Sequence, residues 1–421
     1  MANMITRFGL GFHQTAIAFV GNFGSAGFSA IALILISRML GPELFGEFSA
    51  AFAIAVILSK INDAGLSVAL QKFVGGAKTH AEANQYMSEA LRLRLIISAS
   101  ILLVILPFTT TLTRILQFDH PYLVLISIVI GLSIAYYDVL LIFLQATLSF
   151  TSAAVANLSQ AVLKVLMAVG AYFIFPKALG VIYSLYIGAV LLPVLFSKSL
   201  LPSWVHLNIW KKDVKKQKDI LSLAKHSAIL IVASVVIDNI GVLFVKGYLT
   251  SFEAGLLGGA SRISLLFILI GASLAQVLYP RIAKYRLKSD LDKYLKKAVI
   301  ILLLAVVAFF STIAFSDLAI YYTIGPEYLA GSSVLVVLLA SAYIYMATVP
   351  FSALFFSFKE PYYFSIAGIL QVIVTIGGNM LFVPVYGLMA AAWTQLAGKL
   401  LMFGFTLVYS WYAYKKHIGN E

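Results

Sequence analysis

The chain contains no cysteine, which excludes disulfides, thiolate catalysis and cysteine-ligated metal. Charge is also scarce. Asp, Glu, Lys and Arg make up 11% of the 421 residues, against roughly 25% in soluble domains. Strict polar/apolar alternation is missing as well, which excludes a transmembrane β-barrel. What remains is a chain that is 61% hydrophobic, with a mean hydropathy of +0.97. A bilayer core needs about 20 apolar residues per helix. That spacing predicts spans at 12–36, 48–71, 92–112, 121–146, 151–175, 179–200, 221–247, 256–280, 296–316, 328–356, 362–383 and 387–412. The first stretch is longer than a signal-peptide core and no small-x-small cleavage site follows it, so a retained helix is expected.

A net charge of +13 would suit a nucleic-acid partner until the charges are located. Lys72, Lys78, Arg92 and Arg94, the run from Lys198 to Lys225 (including Lys211), the run from Arg281 to Lys297 (including Lys284 and Arg286), and Lys415 and Lys416 fall on one set of connections. Only Arg38, Arg114, Lys177 and Lys246 fall on the other. This is the positive-inside pattern, and it predicts cytoplasmic termini. Aromatic interleaving and a polar fold are both missing, so no nucleic acid is expected. The stretch around Trp204 and Trp210 reads as a basic amphipathic linker lying along the inner membrane surface and joining two halves.

Charges inside the spans are the informative ones, because a lysine at a helix centre costs about 2.5–3.5 kcal/mol on insertion scales. Span 2 carries Lys60, Asp63, Ser67 and Gln71 as a stripe, in which Lys60 and Asp63 could pair. Span 4 carries Asp138, and span 5 carries Asn157, Gln160 and Lys164. Asp238 lies in span 7, and Arg262 and Gln276 in span 8. Span 11 aligns Gln371, Thr375 and Asn379, span 12 brings Gln395 and Lys399 to one face, and span 1 offers Asn22. In a shared cavity, the cations Lys60, Lys164, Arg262 and Lys399 would meet the acids Asp63, Asp138 and Asp238 and favour an anionic substrate.

The halves repeat one another at a near-constant offset: Pro176 matches Pro384, Gly46 matches Gly255, and Tyr122 matches Tyr328. The expected fold is therefore all-α and polytopic: about twelve transmembrane helices in two six-helix lobes, related by a pseudo-two-fold along the membrane normal, with a cavity between them. The expected division is an N-terminal lobe at 1–200, a basic linker at 201–220 and a C-terminal lobe at 221–421.

Four stretches carry a family resemblance: LISRMLGPELFGEFSAA (35–51), NDAGLSVALQKFVGG (62–76), IGPEYLAGSSVLVVLLA (324–340) and FVPVYGLMAAAWTQLAG (382–398). With these the chain resembles the polysaccharide-exporter branch of the multidrug/oligosaccharidyl-lipid/polysaccharide flippase superfamily. The resemblance implies a flippase of the bacterial inner membrane. It would move an undecaprenyl-diphosphate-linked oligosaccharide, such as an O-antigen or exopolysaccharide unit, to the outer leaflet by alternating access. It further implies coupling to a proton or sodium gradient. No other cofactor, no metal and a monomer are expected, in contact with membrane lipids and with polysaccharide polymerase or assembly proteins. The four cations would then hold phosphate or acidic sugar, the three acids would be coupling candidates, and Asn22, Asn157, Gln160, Gln276, Gln371 and Gln395 would line the cavity. Span 1 lacks the acid that proton-coupled multidrug exporters of the superfamily carry, which disfavours that alternative. A polymerase or ligase is the rival enzyme class. The short outer connections, with few charges and no His/Asp/Glu cluster, argue against it.

Overall fold

The computed structural model describes residues 2–175, 178–210, 212–282, 288–357 and 362–418. Pro176, Lys177, Lys211, Lys284 and Arg286, used above for the repeat and the topology, lie outside them. The described residues form helices and no strand. In order these are α1 Ala2–Asp63, α2 Leu66–Gly75, α3 His80–Ile105, α4 Thr109–Ile115, α5 Tyr122–Ala146, α6 Phe150–Ile174, α7 Leu179–Leu195, α8 Ser197–Leu200, α9 Val214–Tyr248, α10 Ser251–Ile282, α11 Lys288–Ile313, α12 Ser316–Thr323, α13 Ser332–Ser357, α14 Tyr362–Tyr386 and α15 Leu388–Ile418. Ten helical stretches among the described residues are long and apolar enough to cross a bilayer. The first of them, Gly21–Asp63, overlaps the two expected spans 12–36 and 48–71, divided at Gly41 (φ 72°) beside Pro42, and the second is broken after Asp63, with α2 starting at Leu66. The expected sixth span is the 17-residue α7. The chain is a multi-pass helical membrane protein.

Local chemistry sets the helix boundaries. Pro42 has no N–H to continue the ladder, and Gly41 takes a left-handed turn that a side chain would resist. Thr79 caps α3 by accepting from the Glu82 N–H, and Glu82 reaches back to the Lys78 N–H. Thr250 and Glu253 make the reciprocal capping box of α10, each side chain accepting the other's backbone N–H. Asp213 caps α9 by accepting from the Lys215 and Lys216 N–H groups. Those bonds, those to Lys216 foremost, hold its carboxyl below the usual carboxylate range. The cap is therefore in place above that range and is lost as pH falls through the lowered value.

The chain divides into two compact units: Met1–Met39 with Ala51–Val235, and Leu40–Ala50 with Val236–Glu421. In the first unit, α2 and α3 build an apolar core with α5 and the start of α9, around Leu70, Met87, Phe143 and Ile220. Trp204 packs onto this core and stacks on His80 at 4.1 Å. The segment before α9 is thus tied to α3. The Asn84 side chain donates to the Trp204 carbonyl, and the Asn208 and Asp213 N–H groups donate to Ser88 and Glu89. Trp210 remains exposed, and the helix resumes at Val214, earlier than expected.

In the second unit, residues 40–50 lie backbone-to-backbone on α10. A Cβ on Gly46 would come within 1.7 Å of the Ser251 carbonyl oxygen, and one on Gly255 within 1.7 Å of that of Pro42. The buried pair Glu47–Lys246 closes this contact at 3.1 Å. Lys246, expected among the outer connection charges, is instead an interior residue, because Glu47 supplies the charge that allows its burial.

Candidate functional site in the membrane-spanning helices

The end of α1 sets the geometry of the first unit. The helix stops at Asp63 because Ala64 (φ 42°) and Gly65 (φ 78°) turn left-handed. Gly65 is pressed against the first turns of α9, where a Cβ would lie 2.3 Å from the Ala224 carbonyl oxygen. Asp63 does not pair with Lys60. It accepts from the Arg94 guanidinium and from Ser67, and Arg94 also donates to the Ala135 carbonyl of α5. Arg94 was expected among the cytoplasmic topology charges, yet its side chain is 0% exposed. Helix α3 begins at His80, so Arg94 sits four turns inside it. The Thr79-x-x-Glu82 capping signature carries that start, and it was the signal for Arg94's burial.

With Asp63 engaged, Lys60 pairs across to Asp138 of α5 at 2.5 Å, both side chains half-buried. Beside Asp138, the Tyr137 hydroxyl donates to Asn157 Oδ1 of α6, and Asn157 Nδ2 donates to Asn22 Oδ1 of α1 at 3.0 Å. One turn beyond Asn157 lies buried Gln160, and four residues further Lys164 holds its ammonium over the Tyr186 ring of α7, 5.1 Å from the centroid. Among the described residues Lys164 has no carboxylate partner. Tyr186 in turn meets Phe52 of α1 edge-on at 5.5 Å. Four helices thus converge on a half-exposed polar face with one paired and one unpaired lysine, amides and aromatic rings. Amides, hydroxyls and aromatic faces can hold sugar; lysines can hold phosphate.

The second unit carries its own pair. Lys399 of α15 donates to Asp238 of α9 at 3.3 Å, and its ammonium lies 5.6 Å from the Tyr345 ring centroid of α13. Asp238 also lines a narrow cleft, with room for about one water-sized particle. Its other polar walls are Ser261, Thr375, Asn379 and Gln395. Thr375 and Asn379 are buried, and Thr375 Oγ1 and Asn379 Oδ1 have no hydrogen-bond partner among the described residues. Gln371 Nε2, one turn away on the same face of α14, is likewise unpartnered. Arg262 on α10 is half-buried, and Gln276 is exposed. Tyr186 and Tyr345 gave no sequence signal, because a tyrosine in an apolar run is indistinguishable from core.

The polysaccharide biosynthesis protein family profile matches residues 13–286. The probable low-salt glycan biosynthesis flippase Agl15 of Haloferax volcanii is 21% identical over 381 residues, covering 89% of this chain and 78% of that protein. Among solved structures, an inward-facing multidrug resistance MATE family transporter of the MOP superfamily aligns with a TM-score of 0.78 at 17% identity, over 95% of this chain and 98% of that one. The lipid II flippase MurJ in an inward closed conformation aligns at 0.76 and 15% identity, over 94% of this chain and 87% of that one. These likenesses establish the fold.

Proposed function

Because the chain belongs to the polysaccharide biosynthesis protein family, we propose that it is a flippase, not an enzyme, that carries a lipid-linked oligosaccharide from the inner to the outer leaflet of a cytoplasmic membrane. The observation that carries this reading is the placement, in each unit, of lysine on membrane-spanning helices, partly exposed beside a carboxylate or an aromatic ring: Lys60 and Lys164 in the first, Lys399 in the second. Charge at such depth is costly and marks a polar pathway by default. The two relatives whose names describe a flippase point the same way. The substrate we favour is an undecaprenyl-diphosphate-linked repeat unit of an O-antigen or exopolysaccharide. Lys60, Lys164, Arg262 and Lys399 take its diphosphate, Asn22, Asn157 and Gln160 its sugars, and the prenyl tail stays in lipid. The termini are cytoplasmic and the cycle is alternating access.

The three acids separate by environment. Asp63 is consumed by Arg94 and Ser67, and Asp138 by Lys60. Asp238 is 48% exposed, holds its lysine loosely, and borders the unpartnered oxygens of Thr375 and Asn379. Hard oxygen donors of this kind suit sodium, and Asp238 is the coupling residue of this reading. A coupling ion bound there would supply the gradient's free energy to the cycle.

Complementation tests the function. A strain lacking its own flippase should regain surface polysaccharide with the wild type. At matched membrane levels it should lose it with Lys60→Ala and Lys399→Ala, and lose most of it with Lys164→Ala and Arg262→Ala. Full activity in all four variants would remove the residue assignments. No rescue by the wild type across several sugar pathways would remove the flippase reading and favour a multidrug exporter of this fold.

A further inference from the structure

Helices α14 and α15 have two unlike sides. One carries the polar residues Thr375, Asn379, Gln395 and Lys399. The other is apolar and hollow. Beside the left-handed turn at Gly387 (φ 68°), the pair forms a groove of about 790 Å³ walled by Phe382, Tyr386, Met389 and Trp393. Its floor is the contact of Gly378 with Thr394, where a Cβ would stand 2.6 Å from the threonine methyl. Val374 and Ala397 mark its far end. Phe382, Tyr386 and Trp393 are exposed, Tyr386 at 70%. We propose that this groove seats the polyprenyl chain of the substrate once its headgroup has reached the outer leaflet. This rests on the flippase reading and gives a protein site to the part of the substrate that the reading leaves in lipid.

Length and depth support this occupant. From Val374 to Tyr386 the groove runs about 18 Å along α14, at about 1.5 Å per residue. The hydrocarbon of one leaflet is about 15 Å deep, half of an approximately 30 Å core. With cytoplasmic termini, the Gly387 turn lies at the outer surface, so the groove crosses the outer leaflet from headgroup level to mid-bilayer. Tyr386 then stands at the depth where interfacial tyrosines collect. The volume falls within the roughly 300–1,000 Å³ of ligand sites. The floor also fixes the order of events. The Gly378–Thr394 contact and that of Gly398 with Thr375 and Gln371 close the way between the polar and apolar sides. A chain therefore enters from the outer end, after its diphosphate has arrived there.

Apolarity alone selects no chain in a bilayer, because lipid tails are as apolar as leucine. Selection must come from shape. Small residues, Gly378, Ala390 and Ala397, leave hollows between the rings of Phe382 and Trp393. A polyprenyl chain carries a methyl branch and a planar double bond in every repeat. The branches fill the hollows and the planar segments lie against ring faces. A straight acyl chain leaves the hollows empty and forfeits those contacts.

The full chain in lipid nanodiscs would be irradiated with a sugar-free polyprenyl diphosphate bearing a diazirine in its chain. A phospholipid bearing the same group in an acyl chain would be used in parallel, and labelled residues would be read by mass spectrometry. The prenyl probe is expected to label Met389 and Trp393 about tenfold above the exposed faces at Leu103 and Phe310, and the acyl probe to label all four alike. Ala397→Phe fills the inner end from an exposed position and should cut groove labelling by the prenyl probe about tenfold with an unchanged thermal midpoint. Leu400→Phe, on the same helix but outside the groove, should leave labelling as it is. Equal labelling of the groove and the other faces by the prenyl probe, or groove labelling by the acyl probe just as strong, would overturn the proposal. If the wild type still restores surface polysaccharide, the flippase reading stands without the groove. Failure of that rescue removes the reading, and with it the substrate named here.

Discussion

Replacing Arg94 with alanine is expected to lower the unfolding free energy by about 3–5 kcal/mol, the cost of removing one member of a buried ion pair. The guanidinium lies wholly inside the first unit and joins three pieces of chain. It donates to Asp63 at the end of α1 and to the Ala135 carbonyl of α5 from its own place in α3. Removing it strands a carboxylate that is 3% exposed and leaves it with the Ser67 hydroxyl as donor. It also loosens the spacing between Lys60, one turn before Asp63, and Asp138, one turn after Ala135. Arg94→Lys should recover only part of the loss, because a point charge cannot reproduce the planar fork. The double variant Arg94→Met with Asp63→Leu should cost less than the two single changes added together, since neither charge is then left alone. Denaturant titration in detergent measures each of these variants. A cost below about 1 kcal/mol for Arg94→Ala would mean that water reaches Asp63.

Gly255→Ala is the second large effect expected. Overpacking costs about 1–3 kcal/mol where side chains can yield. Here the obstacle is backbone: the new methyl would meet the Pro42 carbonyl oxygen at 1.7 Å. Residues 40–50 must lift from α10, and the Glu47–Lys246 pair, at 2% exposure on both sides, must separate with them. The loss should reach or exceed the top of that range, about 3 kcal/mol. Gly170→Ala in α6 is the control. Among the described residues no atom beyond its own helix backbone and chain neighbours lies within 4 Å of a Cβ there, and the change should stabilise the helix by roughly 0.5–1 kcal/mol. Thermal unfolding of the two variants side by side decides the matter. Equal midpoints would refute the backbone contact.

Much of this was legible in the sequence. Hydropathy placed the spans because a bilayer imposes length and composition on every helix that crosses it. The stripes on spans 5 and 11 reappear as contiguous polar faces, because three- and four-residue spacing fixes which side chains share a side. What sequence could not supply was partnership between helices. Lys60 stands three residues from Asp63 but pairs with Asp138, and Asp63 takes Arg94. Those choices depend on the left-handed turn at Ala64 and Gly65 and on where α3 begins. The same holds for Glu47 and Lys246: read as two connection charges, they become an interior pair only when glycine-to-backbone contact brings residues 40–50 onto α10. The tyrosines under Lys164 and Lys399 were hidden for another reason, since their function lies in a ring face that composition does not distinguish from packing.

The central claim is translocation of a lipid-linked oligosaccharide, and one measurement addresses it directly. The purified chain would be reconstituted into liposomes carrying a fluorescent polyprenyl-diphosphate oligosaccharide in both leaflets, and a membrane-impermeant quencher would be added outside. With the protein present, quenching should proceed past the outer-leaflet fraction toward completion, and Lys60→Ala and Lys399→Ala should stop it at that fraction. Quenching that halts at the outer-leaflet fraction with the wild type, under sodium and proton gradients of either direction, would contradict the account.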